Sequence, residues 1–209
     1  MGKDRTQNEL TMKTLRIAKT LVAMAAVAAC MGAWADRRWT GGGETADWGD
    51  SGNWDGGSGA HVFRHSKQGF TKKALSFSSL VGFSQALWLQ NNEASFGDTD
   101  PIVFSATSSE NGLNSTSTLN VGPNADGDGY LKIESGTHSF SGKSEVGGGG
   151  SNGKIEVSGG TLNLANIDLG MKSGSTGTFL LSDNGCVNGT SWFCAGRPNG
   201  RVVPFDLES

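Results

Sequence analysis

Residues 124–129 read Asn-Ala-Asp-Gly-Asp-Gly. Asn124, Asp126 and Asp128 place oxygen atoms at alternate positions, and glycine stands sixth, as in the first half of a calcium-binding loop. The second half fails. The twelfth position, where a bidentate glutamate belongs, is Ser135, and Glu134 sits one residue early. No helical pattern flanks the loop. Asp, Asn and Gly are also the residues a tight turn needs, so the segment reads first as a turn. Calcium at Asn124, Asp126 and Asp128 is the one cofactor with a candidate site, and no catalytic residue is expected.

Cleavage of a glycosidic bond needs two acids at a defined separation on one groove. Glu134, Glu156, Asp168 and Asp183, with Arg197 nearby, are the residues available. Glu134 and Glu156 fall at different offsets in their repeats, which reads as a solvated acidic face rather than a catalytic pair. His61 and His65 lie four apart in strand-like sequence, about 13 Å along one face, too far to share a metal. No Gly-x-Ser-x-Gly and no cysteine–histidine nucleophile pattern is present. Trp39, Trp48 and Trp54 are spaced by turn residues. They can stack on sugar rings if exposed, or close the end of a core if buried, and burial is the usual fate of tryptophan.

The elements that would position these residues repeat. GYLKIESGTHSFSGKSEVGGGGSN starts at Gly129, GKIEVSGGTLNLANIDLGMKSGST at Gly153 and GTFLLSDNGCVNGTSWFCAGRPN at Gly177. These three starts are evenly spaced, with Gly200 as a fourth start and Leu119-Asn120-Val121-Gly122 as part of an earlier copy. Such a period is the mark of a solenoid. Within each unit apolar residues alternate with polar ones: Leu131 and Ile133, Ile155 and Val157, Phe179 and Leu181. Second strands follow at His138 and Phe140 and at Leu162 and Leu164. Third strands follow at Val146, at Ile167 and Leu169, and at Phe193 and Ala195. Alternation bounded by Gly and Asn predicts strands. Three short strands and three turns predict one triangular coil of an all-β, parallel β-helix of about 24 residues per coil.

Three segments follow: 1–35 as a polar leader and secretory signal, 36–110 as an irregular Trp-rich cap or first coils, and 111–209 as repeats cut short at the carboxyl end. In the leader, Lys13, Arg16 and Lys19 precede the apolar stretch from Leu21 to Gly32, and Ala33-Trp34-Ala35 fits a signal-peptidase site. The apolar stretch is short of the roughly 20 residues a membrane span needs. Val27-Ala28-Ala29-Cys30 offers a rival, a lipobox that would leave lipid on Cys30. Export to an oxidising compartment permits a Cys186–Cys194 disulfide, with two buried thiols as the alternative.

Composition agrees with this architecture. The chain has 209 residues, 33 of them glycine, only 18% charged, and a net charge of −3. A chain with no basic excess is not expected to bind nucleic acid. Contact with a membrane is expected only through the export signal or a lipidated Cys30.

The motifs WTGGG…W…NWDGG behind an export signal, followed by SGGTLNL and VGGGG coils, resemble those of bacterial passenger proteins with autotransporter-associated β-strand repeats. That family is common in Verrucomicrobia and Planctomycetes. The resemblance implies a right-handed β-helix, secretion or display at the outer membrane surface, and a structural or adhesive role. With no catalytic constellation in the sequence, the chain is expected to be non-enzymatic, with surface glycans or other copies of itself as partners. Such passengers continue for many coils and end in a barrel or anchor, so this chain is expected to be a fragment. A carbohydrate-binding module and a β-helix polysaccharide lyase or hydrolase are the alternatives.

Overall fold

The computed structural model describes residues 36–64, 74–91, 101–124, 127–196, 201–202 and 206–207. The leader with Cys30, and also His65, Asp126 and Arg197, lie outside the described residues. The chain is a parallel β-helix. It opens with β1 (Arg37–Trp39) and β2 (Trp54–Gly56), and β3 (His61–Arg64) then lies parallel on β1. The next coil holds β4 (Ala74–Phe77), β5 (Leu80–Phe83) and β6 (Leu87–Gln90), and the following one β7 (Ile102–Ala106), β8 (Gly112–Ser115) and β9 (Leu119–Val121). Then come β10 (Gly129–Ile133) with β11 (Thr137–Val146), and β12 (Asn152–Val157) with β13 (Thr161–Leu169). The last elements are β14 (Thr176–Leu181), β15 (Cys186–Gly189), β16 (Phe193–Ala195), β17 (Arg201–Val202) and β18 (Asp206–Leu207).

Each coil has three legs. First legs stack into a seven-stranded sheet, β17-β14-β12-β10-β7-β4 with β18 beside β14. Second and third legs join in an eleven-stranded sheet, because β11 and β13 run through both. The join bends at a bulge: two residues of β11, Ser141 and Gly142, sit where β13 has only Ala165.

The even register of the repeat holds in the central coils. Gly129 faces Gly153, which faces Gly177, and Leu131, Ile155 and Phe179 stack in one inward column. His138 faces Leu162, Phe140 faces Leu164, Val146 faces Leu169, and Ile167 faces Phe193. Leu119-Asn120-Val121 joins the third-leg column through Asn120–Glu145 and Val121–Val146. One register differs. Gly177 faces Val202, not Gly200, so that coil is slightly longer than the two before it.

The segment before residue 110 continues the same ladder with unequal coils. His61 faces Leu87, Leu75 faces Phe104, and Leu87 faces Leu119. Each of these steps along the chain is longer than the last, and all exceed the step from Gly129 to Gly153. Stacking needs only that the legs align, so a corner can lengthen without disturbing them. Inward columns are filled by Phe63, Leu75, Phe77, Leu87, Leu89 and Phe104, all essentially inaccessible. They belong to the same core cluster as Ile155, Leu162 and Leu169.

The tryptophan segment closes this end. β2 turns back antiparallel on β1, with Trp39 opposite Trp54. Asn53, fully buried, pins the loop between them: its amide donates to the carbonyls of Thr45 and Asp47 at 3.0 Å, and its oxygen accepts from the Gly43 amide at 2.9 Å. Asp47 then joins the first-leg sheet beside Ser76, and its carboxylate accepts from the Ser78 amide at 3.0 Å.

Third legs end at a left-handed corner that recurs in successive coils, at Gly122, Gly147, Gly170 and Gly196, with φ between 59° and 73°. At Gly147 a Cβ would lie 2.1 Å from the Thr176 carbonyl oxygen, against the next coil. Gly150 also has positive φ, 92°, but nothing within 4 Å. Gly147→Ala is therefore expected to lower stability by at least about 2 kcal/mol, from strain plus collision. Gly150→Ala should cost about 1 kcal/mol, from strain alone. Urea unfolding followed by circular dichroism measures both. Equal losses would show that the close coil contact at Gly147 carries no weight.

Candidate functional site

The first legs of the central coils gather the acids singled out above. Tyr130, Lys132 and Glu134 of β10 and its following corner lie beside Lys154 and Glu156 of β12, all on the outer side because Leu131, Ile133, Ile155 and Val157 fill the inner one. Tyr130 Oη donates to Glu156 Oε2 at 2.5 Å, and Lys154 Nζ donates to Tyr130 Oη at 3.0 Å. Lys154 Nζ also stands 4.2 Å from the centre of the Tyr130 ring. Lys132 Nζ bridges Glu134 at 3.1 Å and Glu156 at 3.7 Å, and Ser105 Oγ donates to Glu134 Oε2 at 3.2 Å. The structure thus brings Glu134 and Glu156 to one lysine, although their offsets in the repeat differ.

This cluster is self-neutralised. Burial raises the Tyr130 hydroxyl well above its ordinary value, and the Glu156 carboxylate that accepts its proton raises it further. A phenol held protonated in this way cannot serve as a base at neutral pH. Burial alone would push Glu156 up, but the Tyr130 hydrogen bond and the Lys154 and Lys132 charges together hold it below the usual range. Lys132 is raised, chiefly by its bond to Glu134. The other acids lie apart. Asp168 sits on a third leg with Lys143 Nζ 2.5 Å from its Oδ2. Asp183 occupies an exposed corner at φ 50°, doing there what glycine does in the neighbouring coils.

Two residues of the calcium-like pattern, Asn124 and Asp128, make bonds between coils. Asp128, 8% exposed, accepts from the Asn152 backbone amide at 2.7 Å and from its side-chain amide at 2.9 Å, one coil on. Asn124 Oδ1 accepts from Gln90 Nε2. Among the described residues no group of three or more His, Cys, Asp or Glu side chains is placed to hold a metal ion.

Trp39 and Trp48 are 3% and 4% exposed, and Trp54 is half-buried against the core. Their rings pack edge to face, 5.1 Å between Trp39 and Trp54 and 4.6 Å between Trp48 and Trp54. Trp48 also stacks on Phe77 and His61. They cover the end of the core and form no open platform for a sugar ring. Cys186 and Cys194 are free thiols on separate legs, Cys186 exposed and Cys194 half-buried, which matches neither a disulfide nor a buried pair.

What composition and spacing did not reveal is the outer side of the second and third legs. Asn188 Nδ2 donates to Asn163 Oδ1 at 2.9 Å, and Asn163 Nδ2 donates to Ser139 Oγ at 2.9 Å, an uncharged ladder with one rung per coil. These positions alternate with Phe140, Leu162 and Leu164, so the period-two pattern already placed them outward. Beside the ladder, Trp192 is 44% exposed. No family model, curated protein or solved structure matches the chain.

Two buried histidines give the fold a pH response. His138 fills an inward slot between Phe77 and Phe104, with ring centres 5.1 and 5.2 Å away. Its Nε2 lies 3.1 Å from the Ser135 carbonyl and so carries the proton, and its Nδ1 has no partner among the described residues. Burial lowers it to about 4. His61 is lowered to about 4 by burial, aided by the Arg37 charge. The unfolded chain binds protons near pH 6.5, and the folded chain not until about 4. Stability is therefore expected to fall as pH drops from 6.5 to 4, by up to about 1.4 kcal/mol per pH unit for each ring, and to level below. The Glu156 contribution is lost in a lower window, below its unfolded value of 4.5. His138→Leu, which copies Leu162 of the next coil, should roughly halve the slope between pH 6.5 and 4. Urea midpoints across that range measure it, and an unchanged slope would count against a neutral buried His138.

Proposed function

We propose that this chain is an exported, non-enzymatic β-helix passenger that acts outside the cell in a structural or adhesive role. One observation carries the reading: successive coils stack in register, so their outward side chains form columns on a rigid support. In a parallel ladder, neighbouring rungs stand about 4.8 Å apart, a spacing suited to an extended partner. Carboxylates on the central coils are already engaged, Glu134, Glu145, Glu156 and Asp168 by a lysine or tyrosine and Asp128 by Asn152, which favours display over general acid–base chemistry. Lys13, Arg16 and Lys19 ahead of an apolar stretch and Ala33-Trp34-Ala35 support export. The WTGGG and NWDGG motifs, whose residues build the cap, support kinship with autotransporter-associated repeat proteins.

Expression of the full chain in a Gram-negative host tests export. The mature protein is expected outside the inner membrane with Asp36 as its first residue, by fractionation and mass spectrometry. A lipidated Cys30 at the amino terminus would instead support anchoring, and retention in the cytosol with the leader intact would overturn the reading. Incubation with pectin, alginate and neutral glucans is expected to release no reducing ends or unsaturated products. Release that is lost in Glu156→Gln would replace the passenger reading with that of an enzyme.

A further inference from the structure

One inward slot of the core carries no side chain. Phe140, Leu164 and Gly189 occupy a single inward column in successive coils. Phe140 and Leu164 fill their slots and are buried. At Gly189 a Cβ would meet nothing within 4 Å. The backbone there is not left-handed, so the missing side chain serves no turn.

The bare slot belongs to a cavity of about 390 Å³. Leu164, Ile167 and Phe179, all buried, form its floor, and Leu181, Val187 and Phe193 line it further out. Phe179 and Leu181 come from a first leg, the others from second and third legs, so the space lies inside the winding and not on its outer surface. Phe193 takes an inward slot opposite Ile167 and is still 45% exposed, so the cavity reaches solvent beside it. Among the described residues that line it none is charged, and only Ser191 and Trp192 carry polar side-chain atoms.

The chemistry selects a ligand. A charged group brought here would give up its water and find no charge to pair with. A sugar would lose more hydrogen bonds to water than two polar side chains can return. A hydrocarbon gains by leaving water and loses nothing. Leu164, Ile167, Leu181 and Val187 present branched, uneven walls, which a flexible chain follows better than a flat ring. Size permits one: a cavity of about 150 Å³ lined by Leu, Ile and Phe already admits benzene. We infer that this cavity binds one aliphatic chain of a neutral amphiphile, with Gly189 giving the chain room and the exposed Ser191 offering its hydroxyl to the polar end. The site goes beyond the passenger reading and does not rest on it.

Titration of the purified full chain with N-phenylnaphthylamine, an uncharged apolar dye, tests the site, followed by displacement with decanol. Dye emission is expected to rise and saturate near one dye per chain, and decanol is expected to reverse it. Gly189→Leu, which copies Leu164, should weaken dye binding at least about tenfold and raise the melting temperature, because it fills the space. Asn188→Ala, on the outer side of the same strand, should bind as the parent does. Where Gly189→Leu does not fold, Val187→Phe fills the cavity from the neighbouring slot and decides the matter. No rise in emission with the parent, no displacement by decanol, or equal binding by the parent and a folded filled variant would overturn the site. Flotation with phosphatidylcholine vesicles separates two sources of the chain. Flotation of the parent that is lost in the filled variant assigns the chain to a membrane lipid, and decanol displacement without flotation assigns it to a free amphiphile; both support the site. The export experiment decides the passenger reading separately.

Discussion

Each coil is held by a backbone bond at the corner that ends its third leg. The amide of Gly147 donates to the Val121 carbonyl of the coil before at 2.9 Å, and Gly122, Gly170 and Gly196 make the equivalent bond at 2.8–2.9 Å. All four turn left-handed, and at Gly122 and Gly147 the next coil lies so close that no side chain fits. A lone coil has nowhere to send these amides and buries too little apolar surface to stay folded. The stack therefore forms as a unit. Its glycine-rich segments, which read in isolation as flexible linkers, are the joints between coils.

That constraint explains how polar groups are used. Residues facing neither core nor solvent are those that stitch coils together. Ser144 Oγ accepts from the Leu119 amide, Asp128 holds Asn152, and Ser151 Oγ donates to the Gly122 carbonyl. Outward positions carry either compensated charge, as around Glu156, or amides and hydroxyls bonded along the column.

The central coils are legible in the sequence because their apolar slots recur at a fixed step, and Leu131, Ile155 and Phe179 do stack as that step requires. The earlier coils are not. Their steps lengthen from one leg to the next and destroy the phase, although the legs themselves read as strands from His61-Val62-Phe63 and Leu87-Trp88-Leu89. The fourth start falls two residues early, because Gly200 resembles Gly177 in type but does not face it. At the surface, alternation from Phe193 is enough to point Trp192 outward. The Lys143 partner of Asp168 comes from the coil before, and no local pattern reports such a pairing.

The two ends of the described stack differ in kind. At the amino end, β2 runs antiparallel on β1, and tryptophan rings cover the core. This antiparallel pair departs from the parallel pairing of every later coil. At the other end β15 and β16 lie parallel on β13, and β17 and β18 parallel on β14. Parallel edges of this kind are the templates on which a further strand adds. The described stack thus has tryptophan rings over its core at one end and parallel strand edges at the other.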